Sequence, residues 1–192
     1  MPIKFFQRLA LEKGKLKDID KIKAGDEVLS ISFKQGFAEQ KEAIVLKEKS
    51  IFPKQSWNGF KVSWEGGSFF CTENQVILLS NHDILPVRRL EPGKHELLDK
   101  TFNPISITSV ESGKVLCGKK WLYLKGDDGD KSKSLHFLNV NGIWVGDSFI
   151  EDQLESNQNK VQDNKADICP GNPVVRSIRL LMMKMMGKKE ED

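Results

Sequence analysis

The chain has 192 residues, of which 39% are hydrophobic and 30% charged, with a formal net charge of +3. That length suits one globular domain with a tail, or two small domains. No run approaches the roughly 20 apolar residues that cross a bilayer as a helix, the first eight residues lack the apolar run and cleavage site of a secretory signal, and the slight charge excess falls short of a nucleic-acid binder's basicity.

Three cysteines, Cys71, Cys117 and Cys169, are an odd number without CxxC spacing. They fit neither a disulfide framework nor a zinc ribbon. With no phosphate loop, Ser-His-Asp motif or metal cluster in the sequence, the expectation is a soluble cytoplasmic protein with no cofactor, no metal and no nucleic-acid partner.

Taken in chain order, residues 1–150 read as all-β. Strand candidates are short, rich in Val, Ile, Phe and Trp, and bounded by Gly, Asn, Asp or Pro. They fall at 28–33, 43–46, 60–64, 68–72, 76–79, 105–110, 115–117, 121–124, 135–140 and 143–145. Asn141-Gly142 between the last two is a two-residue hairpin signal. No helical period of ten residues interrupts the series, which argues against parallel βαβ units. Trp57, Trp64, Trp121 and Trp144 are expected to fill the core, and Cys71, inside an apolar strand, to be a buried thiol. The acidic run 126–130 lacks the ligand spacing and downstream Glu of a calcium loop, and reads as a hairpin tip.

Two segments echo each other. Asp20-Lys21-Ile22-Lys23-Ala24-Gly25-Asp26-Glu27-Val28-Leu29 and Val87-Arg88-Arg89-Leu90-Glu91-Pro92-Gly93-Lys94-His95-Glu96-Leu97 each place an apolar residue before a glycine-centred turn that leads into a strand. This suggests a duplicated β unit.

Composition shifts near residue 150. The stretch 151–173 is rich in Asn, Gln, Asp and Pro and carries few hydrophobes, so it reads as a flexible linker. It ends at Pro170-Gly171-Asn172-Pro173. Beyond it, 174–187 reads as an amphipathic helix: Val174, Val175, Ile178, Leu181, Met182, Met185 and Met186 recur at helical spacing before Gly187 stops it. Such a helix either docks on its own domain, binds a protein partner, or lies on a membrane surface.

In this order the β segments resemble the Hint domain, the fold shared by inteins, bacterial intein-like domains and the autoprocessing part of hedgehog proteins. "KLKDIDKIKAGDEVLSIS" (15–32) is similar to the family's early strand and Gly-Asp turn. "SFFCTENQVILL" (68–79) stands where the family carries T-x-x-H. "PVRRLEPGKHEL" (86–97) resembles the segment that follows, and "LHFLNVNGIWVGDSF" (135–149) resembles the terminal strand that ends in His-Asn and a nucleophile. The resemblance spans about 9–148 and implies a horseshoe-shaped, pseudo-twofold all-β domain.

It also implies four chemical positions: an N-terminal Cys or Ser that attacks its preceding carbonyl, the motif histidine as general acid, a cyclising Asn helped by the His before it, and an acceptor nucleophile. Here no Cys, Ser or Thr precedes Leu9. Thr72 matches the motif threonine, but Gln75 stands at the histidine position and cannot trade a proton near neutral pH. Gly146 replaces the assisting histidine, Asp147 the asparagine, and Ser148 matches the acceptor. His82 in a turn, His95 in the second glycine turn and His136 on a strand show no catalytic partner in the sequence. The implied function is therefore a Hint-like domain that does not splice and serves as a binding or structural module. Two alternatives stay open: self-cleavage at Asp147–Ser148, and an unrelated all-β adaptor that binds through its methionine-rich helix.

Overall fold

The computed structural model describes residues 3–4, 7–11, 15–34, 37–52, 56–125 and 135–150. The linker 151–173, the helix 174–187 and the acidic tip 126–130 lie outside the described residues. Among the described residues fourteen strands form one sheet, twelve of them along a single path and two beside it, so the all-β expectation holds. The first half supplies β1 (Ile3–Lys4), β2 (Arg8–Ala10), β3 (Leu16–Asp18), β4 (Glu27–Lys34), β5 (Phe37–Ile51), β6 (Trp57–Trp64) and β7 (Gly67–Cys71). The second supplies β8 (Val76–Leu78), β9 (Ile84–Pro86), β10 (Glu96–Leu98), β11 (Pro104–Val115), β12 (Lys119–Leu124), β13 (Leu135–Val140) and β14 (Ile143–Gly146).

The path runs β10-β11-β6-β7-β1-β12-β5-β4-β13-β14-β8-β9, with every pairing antiparallel. Single bridges Leu79↔Leu97 and Asp99↔Ile143 then tie the two ends together. The sheet thus curls back on itself, which leaves few unpaired edges.

The echo between the two glycine turns is structural. Ile19–Lys21 and Val87–Arg89 are both 3-10 turns. Each inserts a fully buried residue, Ile19 or Val87, and each is closed by the next apolar residue, with Ile22 N–H donating to Ile19 O and Leu90 N–H to Val87 O. Gly25 (φ +92°) and Gly93 (φ +79°) follow, leading into β4 and β10. A side chain at either glycine would meet open space, so the requirement is the left-handed backbone alone.

Two strand readings need correction. β5 runs fifteen residues rather than the four at 43–46. β4 pairs with β5 residues 37–44 and β12 with residues 45–51, so distant strands hold it along its whole length, while of its described side chains only Ala43 and Val45 are buried and apolar. Conversely 115–117 is no strand of its own: β11 ends at Val115, and Leu116 is 74% exposed in the following turn. The tryptophans divide as well. Trp57, Trp64 and Trp144 are buried, as expected, whereas Trp121 is only half-buried, with Lys49 Nζ 5.3 Å from its ring centre. Cys71 is fully buried, as expected.

Two apolar clusters make the core. Leu9, Ile19, Val28, Val62, Phe69, Ile77, Leu97, Leu138 and Val145 belong to the larger. Ile31, Val76, Leu78, Phe137, Trp144 and Ile150 form the smaller. β8 and β14 alternate between the two and are buried on both faces, which is why both read as continuous apolar runs.

Asp99 ties the small cluster to a neighbouring turn. Its backbone carbonyl accepts Trp144 Nε1–H at 2.7 Å, and its carboxylate accepts the N–H groups of Thr101 (2.7 Å) and Asn103 (2.8 Å). Partial burial pushes this carboxyl upward, but those bonds outweigh it and hold its pKa below the usual carboxylate value. A depressed folded-state pKa contributes stability in full above the unfolded value, and loses it as pH falls through the folded one. Asp99→Asn is therefore expected to lower stability near neutrality and to flatten its decline below about pH 4, where unfolded aspartates take up protons. Urea denaturation at a series of pH values measures both, and an unchanged pH slope contradicts the assignment.

Candidate functional site

The motif positions quoted from the sequence converge where β8 meets β14. Thr72 and Gln75 frame the turn between β7 and β8, with Gln75 N–H donating to Thr72 O at 3.2 Å. Thr72 is 8% exposed and Gln75 fully buried. From this turn the Gln75 carbonyl accepts Val87 N–H at 2.8 Å, which anchors it on the second 3-10 turn.

Gln75 reaches the terminal strand directly. Its Nε2 donates to the Gly146 carbonyl at 3.0 Å, the carbonyl of the peptide bond leading into Asp147. Its Oε1 is buried and has no hydrogen-bond partner among the described residues. The side chain therefore works here as a donor, anchored through one of its two amide functions. Gly146 leaves no slack beside it: an added Cβ would lie 3.3 Å from the Val76 side chain and 3.5 Å from Ile150.

Asp147 ends the hairpin and opens a helical turn at residues 148–150. It is 1% exposed. Its Oδ1 accepts Ile150 N–H at 3.1 Å and its Oδ2 accepts Leu124 N–H at 3.2 Å. The first bond is an N-cap, made to the third residue of the turn. The second ties the turn to the end of β12. Ser148, 3% exposed, is the first residue of that turn.

The sequence reading missed His136. The Asn141-Gly142 turn pairs Val140 with Ile143 and Phe137 with Gly146, so counting outward sets His136 opposite Asp147. The ladder continues there, with Asp147 N–H donating to His136 O at 3.1 Å, and His136 is only 2% exposed. That count could have been made from the sequence. His82, whose place in a turn suggests an exposed side chain, has φ +66° and is half-buried, and His95 Nδ1 accepts Glu91 N–H at 3.0 Å.

At the N-terminal end Gln7 occupies the stretch where the resemblance calls for a nucleophile. It is 3% exposed and clasps one residue of β7: Nε2 donates to Phe70 O and Oε1 accepts Phe70 N–H, both at 2.7 Å. Gln7 O also accepts Ile19 N–H at 2.8 Å. An uncharged amide used in this way fixes backbone and supplies no nucleophile.

The described residues contain no group of three or more His, Cys, Asp or Glu arranged to hold a metal ion, and no helix long and apolar enough to cross a membrane. No family model and no curated protein matches the chain. Solved structures do match it. The bacterial intein-like domain from Clostridium thermocellum aligns over 76% of this chain and 98% of its own length, with a TM-score of 0.61 and 18% identity. The DnaB intein from Synechocystis sp. PCC 6803 aligns over 76% and 97%, at 0.58 and 16%. The DnaX mini intein from Spirulina platensis aligns over 76% and 98%, at 0.57 and 14%. Together with the curled antiparallel sheet and its repeated 3-10 and glycine turns, these likenesses establish that the chain has the Hint-like fold of inteins and bacterial intein-like domains.

Proposed function

We propose that this chain is a Hint-fold domain without splicing activity that serves as a binding or structural module. A fold confers no activity by itself, since chemistry belongs to the residues of the site. One observation carries the reading: both carboxylate oxygens of Asp147 accept backbone N–H groups, from Ile150 and from Leu124. Attack by that side chain on its own backbone carbonyl would form a cyclic anhydride and release the Ser148 amine. To begin, it must first break one of those buried bonds. Gln75, bonded to the Gly146 carbonyl, has no proton to transfer to the departing nitrogen, and loss of a general acid typically slows a reaction by about 10²–10⁴-fold.

Slow self-cleavage at Asp147–Ser148 is the second reading, and the placement of His136 opposite Asp147 favours it. Intact-mass analysis of the purified full chain, held at neutral pH for days with and without hydroxylamine, separates the two. A single uncleaved mass is expected. A fragment ending at Asp147 that disappears in Asp147→Ala and slows in His136→Ala would overturn the inactive reading.

A further inference from the structure

The chain holds two Asn-Gly pairs, Asn58-Gly59 and Asn141-Gly142. Such a pair is open to self-modification, because a residue without a Cβ lets its own backbone nitrogen approach the asparagine side chain. The second pair forms the tip of the β13–β14 hairpin, with φ +50° at Asn141 and +92° at Gly142. There the asparagine does more than turn the chain. Its Nδ2 donates to Ser68 O at 2.7 Å, its Oδ1 accepts Arg8 N–H at 2.8 Å, and its own N–H donates to Arg8 O at 2.8 Å. One residue thus clasps β2 and β7 to the terminal hairpin, close to the Gln7 clasp on Phe70.

Both halves of the Asn141 amide are engaged, one as donor and one as acceptor. Its Cγ cannot turn to the Gly142 nitrogen until those bonds break. The native clasp therefore holds off the reaction, and only local opening of the hairpin tip or unfolding releases it. Nor does the product fit. A carboxylate has acceptor oxygens and no N–H, so it keeps a partner in Arg8 N–H but sets an oxygen against Ser68 O where the amide donor stood.

We propose that Asn141 is a self-modification site gated by folding: protected in the native domain, and converted in the unfolded chain to an acid that the fold rejects. The Gly142 nitrogen attacks Cγ and forms a C–N bond, the Cγ–Nδ2 bond breaks, and ammonia leaves with the proton that the Gly142 nitrogen gives up. Water then opens the succinimide at either carbonyl and leaves aspartate or isoaspartate. A chain that stays unfolded thereby loses its clasp irreversibly. The site is separate from Asp147–Ser148, and the proposal stands whether or not the domain cuts itself there.

Hydroxylamine traps a succinimide and cuts the chain after the asparagine. The full chain is therefore incubated with it in mildly alkaline buffer, with and without guanidinium chloride, and the fragments are read by intact mass. In guanidinium a fragment ending at Asn141 is expected. In buffer alone its appearance is expected to be slower by about tenfold or more, set by the rarity of local opening. Its mass differs from that of a fragment ending at Asp147, so the result is independent of self-cleavage. Asn141→Asp, which installs the product directly, is expected to lower the melting temperature by about 4–8 °C through the lost bond to Ser68 O. Cutting after Asn141 as fast in buffer as in guanidinium, no such cut in guanidinium, or an aspartate variant that melts with the parent chain would each overturn the proposal.

Discussion

Lys120→Met is expected to destabilise the domain by about 3 kcal/mol, since each buried group left without its partner costs about 1–3 kcal/mol. Lys120 is 2% exposed, yet its ammonium is fully used. It donates to the carbonyls of Asp20 (3.1 Å) and Ile22, and lies 3.3 Å from Glu48 Oε2. Those two carbonyls flank the C-terminal end of the first 3-10 turn. Lys120 thus pins the 3-10 turn before Gly25 against β12 and β5. Methionine matches the stem in volume but removes all three interactions. The flank of the turn can swing toward water and recover part of the loss, which keeps the figure below the full cost of three orphaned partners. For a domain of this size the melting temperature should fall by about 6–12 °C. Lys21→Ala is the control: Lys21 pairs with Asp18 at 2.7 Å on the open surface, and such a pair contributes little. Equal falls for the two variants would refute the clamp.

What the sequence disclosed follows from which features are local. The Asn141-Gly142 hairpin was legible because its turn needs two left-handed residues, and the structure gives them φ +50° and +92°. The repeated glycine turns were legible for the same reason. β5 was not. Its run Glu39-Gln40-Lys41-Glu42 carries no apolar alternation, and its strand character comes from neighbours far along the chain. The reading at 115–117 failed in the opposite sense: Val115-Leu116-Cys117 has strand-forming residues, but the chain reverses there between β11 and β12.

The same divide separates the parts of the candidate site. Thr72, Gln75, Asp147 and Ser148 could be picked out by motif, and the geometry brings Gln75 within 3.0 Å of the Gly146 carbonyl. The bonds that give Asp147 its role could not be read, because the Leu124 N–H lies twenty-three residues away. Nor could the half-exposed stance of Trp121, which depends on which face of β12 the core covers. His136 is the intermediate case: the hairpin turn alone fixes its partner, provided the strands are counted outward from it.

Asp147→Ala is expected to cost about 2–4 kcal/mol, since it strands two buried N–H donors at about 1–3 kcal/mol each and removes an N-cap, usually about 1 kcal/mol. Asp147→Asn discriminates further. A carboxylate presents two acceptor oxygens, and both are used here, toward Ile150 and Leu124. An amide presents one oxygen and one NH₂ group, so one of the two backbone N–H groups would face a donor. Asn is therefore expected to recover only part of the loss, about half of the alanine effect, in urea denaturation monitored by tryptophan fluorescence. If this position were instead shaped for the cyclising asparagine of the splicing fold, Asn would fit as well as Asp or better. It would then raise stability and yield a fragment ending at residue 147. The aspartate's fit as a double acceptor predicts the reverse on both counts: lower stability, and a chain that stays whole.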